Sequence, residues 1–275
     1  MWIFNSVLGK IFEFLFYPFH NLSPWIGMIF ISFLTGLFML FVFRHTSNQQ
    51  GIKQIKNKIK AHLLELRLYK ETLSQSLKAQ RNLLGCNLKY ISYSAKPMLV
   101  MIIPLILIII HLNLWFGYEP LSSGNTTLLK VKLEETHSPL STDVTVEAGK
   151  GLKVDSPPLR IEENSEIDWR LLVHKRGVHD LYIKVNGEKI KKIVVATTHS
   201  LHKISSVKIQ GDFIDSLLHP GESPIDDHIP IHSIHITYPN SGMNLWGFHI
   251  HWLVAYFVLS VFFGFAFKGV FKVSI

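Results

Sequence analysis

The chain has 275 residues, of which 48% are hydrophobic, and its mean hydropathy is +0.24. A soluble domain of this length would be more polar and would distribute its apolar residues along the chain. The single cysteine, Cys86, excludes an internal disulfide framework and any zinc or iron–sulfur site built from cysteines. The composition argues against an ordinary soluble single-domain enzyme.

The net charge of +8 is concentrated in one part of the chain. Residues 44–96 carry a net charge of +9, whereas residues 118–244 carry a net charge of −3. A basic segment between two apolar runs is typical of a membrane protein, because cytoplasmic loops are rich in Lys and Arg. The charge pattern therefore indicates a membrane topology and not DNA binding.

Residues 1–22 are predicted to form an amphipathic helix that lies in the membrane interface. The polar side chains of Asn5, Ser6, Lys10 and Glu13 share one face of the helix, and apolar residues occupy the rest. The segment lacks the basic start and the small-residue cleavage site of a signal peptide. A marginal fourth membrane span is the alternative.

Three apolar segments are predicted to be transmembrane helices, at residues 25–43, 97–116 and 246–267. About twenty residues at about 1.5 Å each cross a hydrocarbon core of about 30 Å. For the third segment, a buried helix of a soluble domain is the alternative. Because the basic segment should stay in the cytoplasm, the N-terminus and residues 118–244 are predicted outside, and the tail 268–275 inside.

The cytoplasmic residues 44–96 are predicted to form an antiparallel coiled-coil hairpin. Apolar residues recur every three or four positions, with a phase break at residues 70–72. A single bent helix or an intermolecular coiled coil would show the same pattern. The predicted seam positions are Ile52, Ile55, Ile59, His62, Leu66 and Tyr69, then Leu73, Leu77, Gln80, Leu84, Asn87 and Ile91.

Five lysines of the hairpin are candidate contact residues. On the flanks of the helices they would remain solvated, or they would contact anionic lipid headgroups or ribosomal RNA. They are Lys53, Lys56, Lys58, Lys60 and Lys78.

Residues 118–244 are predicted to form an extracytoplasmic, immunoglobulin-like β-sandwich. Short runs alternate apolar and polar residues, and they predict roughly seven strands. The run 181–185, followed by Asn186-Gly187 and the run 189–198, is typical of a β-hairpin. Asn-Gly favours the type I′ turn because both of its central residues adopt a positive φ.

The extracytoplasmic segment contains one weak candidate for a metal site. It contains His228, His232 and His235 just after Asp226 and Asp227. A zinc ion needs three or four converging ligands, whereas alternation along a strand would place His232 and His235 on opposite faces unless a bulge intervened. Half-buried and surface histidines are the favoured interpretation. No catalytic or nucleotide-binding motif occurs, so neither enzymatic activity nor a cofactor is expected.

A few polar residues interrupt the predicted spans. The first two spans hold the candidate groove residues, which are Ser32, Thr35, His111 and Asn113. Polar groups within a bilayer should face protein or water. Two roles remain open for these four residues, namely helix packing and the lining of a functional polar groove.

The order of these segments resembles the Oxa1 superfamily of membrane protein insertases, which includes YidC and archaeal proteins with a DUF106 domain. In that family a first core span continues into a cytoplasmic coiled coil, and residues 43–71 (FRHTSNQQGIKQIKNKIKAHLLELRLYKE) look like this junction. The chain departs from the pattern because its three predicted spans contain no Arg or Lys. It also carries a β domain between the second and third spans, and its polar residues are predicted in the outer half of the bilayer.

The resemblance implies that the protein assists the insertion or folding of membrane proteins. Its expected partners are the bilayer, nascent membrane-protein clients or the ribosome, and an extracytoplasmic protein. Its expected location is the inner membrane of a prokaryote. Two other hypotheses are a non-catalytic scaffold, which binds partner proteins through its β-sandwich and its coiled coil, and a histidine-dependent metalloenzyme, which ranks last.

Overall fold

A computed structural model describes residues 2–68, 73–197, 201–211, 213–245 and 247–273. The chain divides into two compact units. We call Met1–Gly27 with Ile108–Trp252 the β unit, and Met28–Leu107 with Leu253–Ile275 the helical unit. The α-helices are α1 Trp2–Phe16, α2 Pro24–Thr46, α3 Gln49–Leu68, α4 Leu73–Phe116, α5 Phe213–Leu218 and α6 Trp252–Phe267.

Among the described helices, α2 and α4 are long and apolar enough to cross a membrane. Helix α2 has 23 residues. Helix α4 has 44 residues and continues without interruption from the predicted hairpin into the predicted second span. The two helices are compatible with a membrane protein.

The predicted count of three spans is not matched. Helix α6 has 16 residues, which correspond to about 24 Å at about 1.5 Å per residue. It begins at Trp252, because Phe248–Ile250 forms a strand that pairs with Met243–Leu245. Gly247, with φ +88°, lies between these strands, and Trp246 lies outside the described residues.

In the helical unit, α3 follows the predicted seam but α4 does not. Ile52 and Ile55 are buried. On α4, the predicted seam residues Leu77, Leu84 and Ile91 are exposed. The least exposed residues on this part of α4 mostly lie one position before the predicted seam residues. They are Ser76, Ala79, Leu83, Cys86 and Tyr90. The coiled-coil prediction is not confirmed, and the predicted phase break lies outside the described residues.

The β unit contains an antiparallel β region. Its strands are β1 Thr126–Leu133, β2 Val144–Ala148, β3 Leu152–Val154, β4 Leu159–Ile161, β5 Glu166–Val173, β6 Gly177–Val185, β7 Glu188–Ala196, β8 Val207–Ile209, β9 Ile231–Ile236, β10 Met243–Leu245 and β11 Phe248–Ile250. One sheet has the order β3-β5-β1-β9-β8, with β4 also on β5, and a second has the order β2-β6-β7. Inward-facing residues of both sheets, such as Leu129 and Leu181, belong to one apolar core.

The predicted hairpin is confirmed at Asn186-Gly187. These residues have φ +50° and +86° and connect β6 directly to β7, as a two-residue type I′ turn requires. Strand β9 contains a β-bulge, because its register with β1 shifts opposite Lys132 and Leu133. This bulge allows Ile231 and Ile234, three residues apart, to be buried together.

Candidate functional site

Ser32 and Thr35 of α2 are buried inside the helical unit. The ring of Tyr256, from α6, is also buried, and its hydroxyl faces the hydroxyls of Thr35 and Ser260. Tyr256 was not among the polar residues predicted from the sequence. Together with Ser32, which is buried three residues before Thr35 on α2, these residues are here called the hydroxyl cluster, which consists of Ser32, Thr35, Tyr256 and Ser260.

The hydroxyl cluster lies where α2 and α6 approach closely. A Cβ atom on Gly36 would lie 2.9 Å from the backbone oxygen of Ser260 and 3.2 Å from the backbone nitrogen of Gly264. Ser32 and Gly36 are four residues apart, as are Ser260 and Gly264. Small residues at this spacing allow helices to pack closely within a membrane, and this signal was available in the sequence.

The hydroxyl oxygens of Ser32, Tyr256 and Ser260 are buried, and none has a hydrogen bond of good geometry within the described residues. Burying a polar group without a partner costs about 1–3 kcal/mol. These hydroxyls are therefore available to donate a hydrogen bond to, or accept one from, a water molecule or a polar group that enters the helical unit.

His111 and Asn113 lie in the β unit, near the end of α4. His111 is buried, and its ring stacks on Phe12 of α1 at a centroid distance of 5.2 Å. Asn113 is half-buried, and its side-chain oxygen lies against Gly117. Of the four candidate groove residues, Ser32 and Thr35 therefore lie in the helical unit, whereas His111 and Asn113 lie in the β unit. The ring contact of His111 with Phe12 is a packing contact.

The candidate lysines of the hairpin differ in their surroundings. Lys53, Lys58, Lys60 and Lys78 are exposed. Lys56 is half-buried, and its ammonium lies 5.9 Å from the centroid of the Tyr90 ring of α4. A cation over an aromatic ring stabilises the contact between α3 and α4, so Lys56 has a structural role that the sequence pattern did not predict.

The three candidate metal-ligating histidines do not converge. His228 contacts the carboxylate of Glu188 at 2.9 Å. His232 is exposed, and His235 is half-buried on β9. Burial and the nearby ammonium groups of Lys192 and Lys130 lower the pKa of His235. Within the described part of the chain, no group of three or more His, Cys, Asp or Glu side chains is arranged to hold a metal ion.

The β unit also contains a buried ion pair. Lys192 Nζ lies 2.5 Å from Glu222 Oε1 and donates a hydrogen bond to the backbone oxygen of Ser205. Burial lowers the pKa of Lys192, while Glu222 opposes that effect. Glu222 also borders a cavity of about 290 Å³, together with Lys10, Glu13, Lys191, Lys203 and Lys208.

No family model, curated protein or solved structure matches the chain.

Proposed function

We propose that this chain is an integral membrane protein of the Oxa1/YidC type, which assists membrane proteins to insert or fold. The observation that carries the proposal is an apolar surface on the charged hairpin that connects the two membrane-long helices. The residues of this surface, which we call the leucine surface, are Leu63, Leu64, Leu68, Leu77, Leu84, Leu88 and Ile91, and all are exposed.

The leucine surface is unusual for a segment outside the membrane. Large exposed apolar patches generally mark sites of protein or membrane interaction. Helix α3 and the part of α4 up to Lys96 carry nine basic residues, which would keep the segment soluble and hold it in the cytoplasm. An apolar client segment would bury the leucines, and the lysines beside them would contact the ribosome or lipid headgroups.

The hydroxyl cluster provides the intramembrane half of the mechanism. The polar flank of a client must cross part of the bilayer, and each polar group left without a partner there costs several kcal/mol. Thr35 and Ser260 would offer hydrogen bonds to that flank if α6 moved away from α2. Helix α6 would act as the third span, with Lys268 and Lys272 near its cytoplasmic end.

In this proposal the N-terminus and the β unit lie outside the cytoplasm, and the C-terminus lies inside. The β unit would be an immunoglobulin-like domain facing the periplasm of a prokaryotic cell. Protease added to intact spheroplasts should cut near Lys191 and spare Lys56. Cleavage near Lys56 with protection of Lys191 would reverse the topology and remove the basis of the proposal.

The second candidate function is a non-catalytic scaffold. The burial of Ser32 and Thr35 against α6 favours it, because this arrangement is explained by helix packing alone. A scaffold would use the leucine surface for a stable partner in the cytoplasm and the β unit for one outside. It would need no groove.

Photocrosslinking from the leucine surface distinguishes the two functions. A photoreactive amino acid at Leu84 or Leu88 should crosslink to nascent membrane proteins during synthesis if the chain is an insertase. The matched control position is Lys78, which is exposed on the same helix. Crosslinks to one mature protein in constant stoichiometry would identify a scaffold, and crosslinks to lipid alone would contradict both.

The hydroxyl cluster is tested by Thr35→Val, which replaces a hydroxyl by a methyl group of similar shape. An insertase should lose the insertion of clients with polar flanks and keep the insertion of purely apolar ones. Unchanged insertion of both client types would remove the groove from the proposal. The level of folded protein in the membrane should equal that of the wild type, which controls for packing.

A further inference from the structure

Helix α1 turns several large apolar side chains outward. The residues that it buries are Asn5, Gly9, Phe12 and Phe16, which form one stripe along the helix. Its outward side chains include Ile3, which is 79% exposed, and Phe14, which is 81% exposed. In a soluble protein the apolar face of a surface helix is turned toward the core. Lys10 and Glu13 are also exposed, but large apolar side chains exposed to this extent indicate that an apolar medium or partner covers the outward face of α1.

Contacts at both ends of α1 fix this orientation. The side-chain amide of Asn5 donates a hydrogen bond to the backbone oxygen of Ser216 in α5. Lys203 Nζ lies 2.9 Å from Glu13 Oε1. Near its end, the Phe16 ring packs on Trp115 of α4 at 4.9 Å between centroids. Polar contacts at Asn5 and Glu13 and an aromatic contact at Phe16 therefore hold this side of α1 against its neighbours, which leaves Ile3 and Phe14 on the outward side.

Helix α5 also exposes large apolar side chains. It was not predicted from the sequence, and through Ser216 it lies beside α1. Phe213 is 59% exposed, and Ile214 is 65% exposed. We call the outward residues of the two helices the α1–α5 surface, which consists of Ile3, Phe4, Val7, Ile11, Phe14, Phe213, Ile214 and Leu218.

The path of the chain indicates what covers this surface. The β unit includes the first residues of α2 up to Gly27, the last residues of α4 from Ile108, and Trp252 at the start of α6. It thus holds one end of each of the three apolar helices, and α1 packs on one of these ends, at His111 and Trp115. Helix α1, which carries most of the α1–α5 surface, therefore lies beside the end of a helix that is long and apolar enough to cross a membrane.

We propose that the α1–α5 surface is a lipid-docking surface, which inserts into the leaflet adjacent to the β unit and holds this unit against the bilayer. Apolar faces of interfacial helices penetrate about 5–10 Å into the boundary between headgroups and acyl chains. Lys10 is exposed on the polar side of α1, at the level where anionic headgroups would meet it. The inference goes beyond the proposed function, since either an insertase or a scaffold could be held in this way.

An environment-sensitive dye tests the docking directly in the full chain, reconstituted in vesicles. Cys86 is first replaced by Ser, and single cysteines are then introduced by Ile214→Cys and Phe14→Cys. The matched control is Leu159→Cys on β4, because Leu159 is 62% exposed and β4 pairs with β5, toward the opposite edge of the six-stranded sheet from β8. Two test sites on different helices keep the experiment informative if one variant fails to fold.

The dye at Ile214→Cys and at Phe14→Cys should show a blue-shifted emission. It should also lose emission to lipids that carry a nitroxide near the headgroup, and it should resist quenching by aqueous iodide. The dye at Leu159→Cys should behave in the opposite way. Equal iodide quenching at all three sites would overturn the proposal. Protection from both quenchers at the test sites would also overturn it, because a second copy or a protein partner would then cover the surface.

Discussion

Lys192 and Glu222 form an ion pair that is almost completely removed from water. The side chain of Lys192 is 0% exposed and that of Glu222 is 7% exposed. The other carboxylate oxygen of Glu222 accepts a hydrogen bond from the backbone N–H of Ile193. One carboxylate therefore links strand β7 to the loop that contains Glu222.

Replacement of this carboxylate should strongly destabilise the β unit. In Glu222→Gln, the Lys192 ammonium stays buried without its counter-charge, and breaking such a pair typically costs about 3–5 kcal/mol. Hydrogen exchange of the β7 amides in the full chain would measure the loss. The control is Glu147→Gln, because Glu147 pairs with Lys184 and Lys189 at the surface and solvent screens such pairs. An equal loss in both variants would contradict the importance of burial.

Close packing of α2 on α6 should make Gly36 intolerant of a side chain. Even the methyl group of Gly36→Ala would lie 2.9 Å from the Ser260 backbone oxygen, and such overpacking typically costs about 1–3 kcal/mol. The variant should lower the melting temperature of the chain in detergent. Gly264→Ala is the matched control, since its new Cβ would have no neighbour within 4 Å. A lower melting temperature for Gly264→Ala alone would show that the contact is misplaced.

The β6–β7 turn should depend on the glycine at its second position. Gly187 has φ +86°, and an L-residue in the left-handed region costs about 1–2 kcal/mol. Gly187→Ala should therefore increase the hydrogen exchange of the β6 and β7 amides. Asn186→Gly retains a residue that tolerates positive φ and should leave exchange nearly unchanged. If Gly187→Ala exchanged like the wild type, the type I′ assignment would be wrong.

The stability of the β unit should decrease in mild acid through His235. Burial lowers the pKa of His235 below its ordinary value of 6.5, so the unfolded state binds a proton more readily than the folded state. The contribution of His235 to stability is therefore complete above pH 6.5, and it is lost as the pH decreases toward the lowered pKa of the folded state. His235→Gln should flatten this dependence between about pH 7 and about pH 5. Hydrogen exchange of β9, corrected for the intrinsic rate at each pH, would measure it.

Local patterns predicted much of the secondary structure. The alternation in residues 181–185 and the pair Asn186-Gly187 indicated a hairpin, and the structure confirms it, because register and turn type depend on neighbouring residues alone. The start of α6 was placed too early. Phe248 and Ile250 are apolar, as residues of a transmembrane helix would be. They form a strand instead, because they pair with Leu245 and Met243.

The phase of α4 could not be predicted from the sequence alone. Leu77, Leu84 and Ile91 recur every seven residues, and the stripe that begins at Ser76 and Ala79 has nearly the same spacing one position earlier. Periodicity fits both stripes, so the partner helix decides which of them is buried. The burial of the stripe that contains Ser76 and Ala79 is a result of tertiary packing, and it leaves Leu77, Leu84 and Ile91 on the outside.

The continuity of α4 has a mechanical consequence. Between Leu73 and Leu107 the helix is not interrupted by a loop. A force that a bound protein exerts at Leu84 is therefore transmitted along the helix to its apolar half. The helix bends most easily at Pro97 and Pro104, because each proline removes a backbone hydrogen bond. Strain from a bound protein would therefore concentrate between these two prolines and bend the helix there.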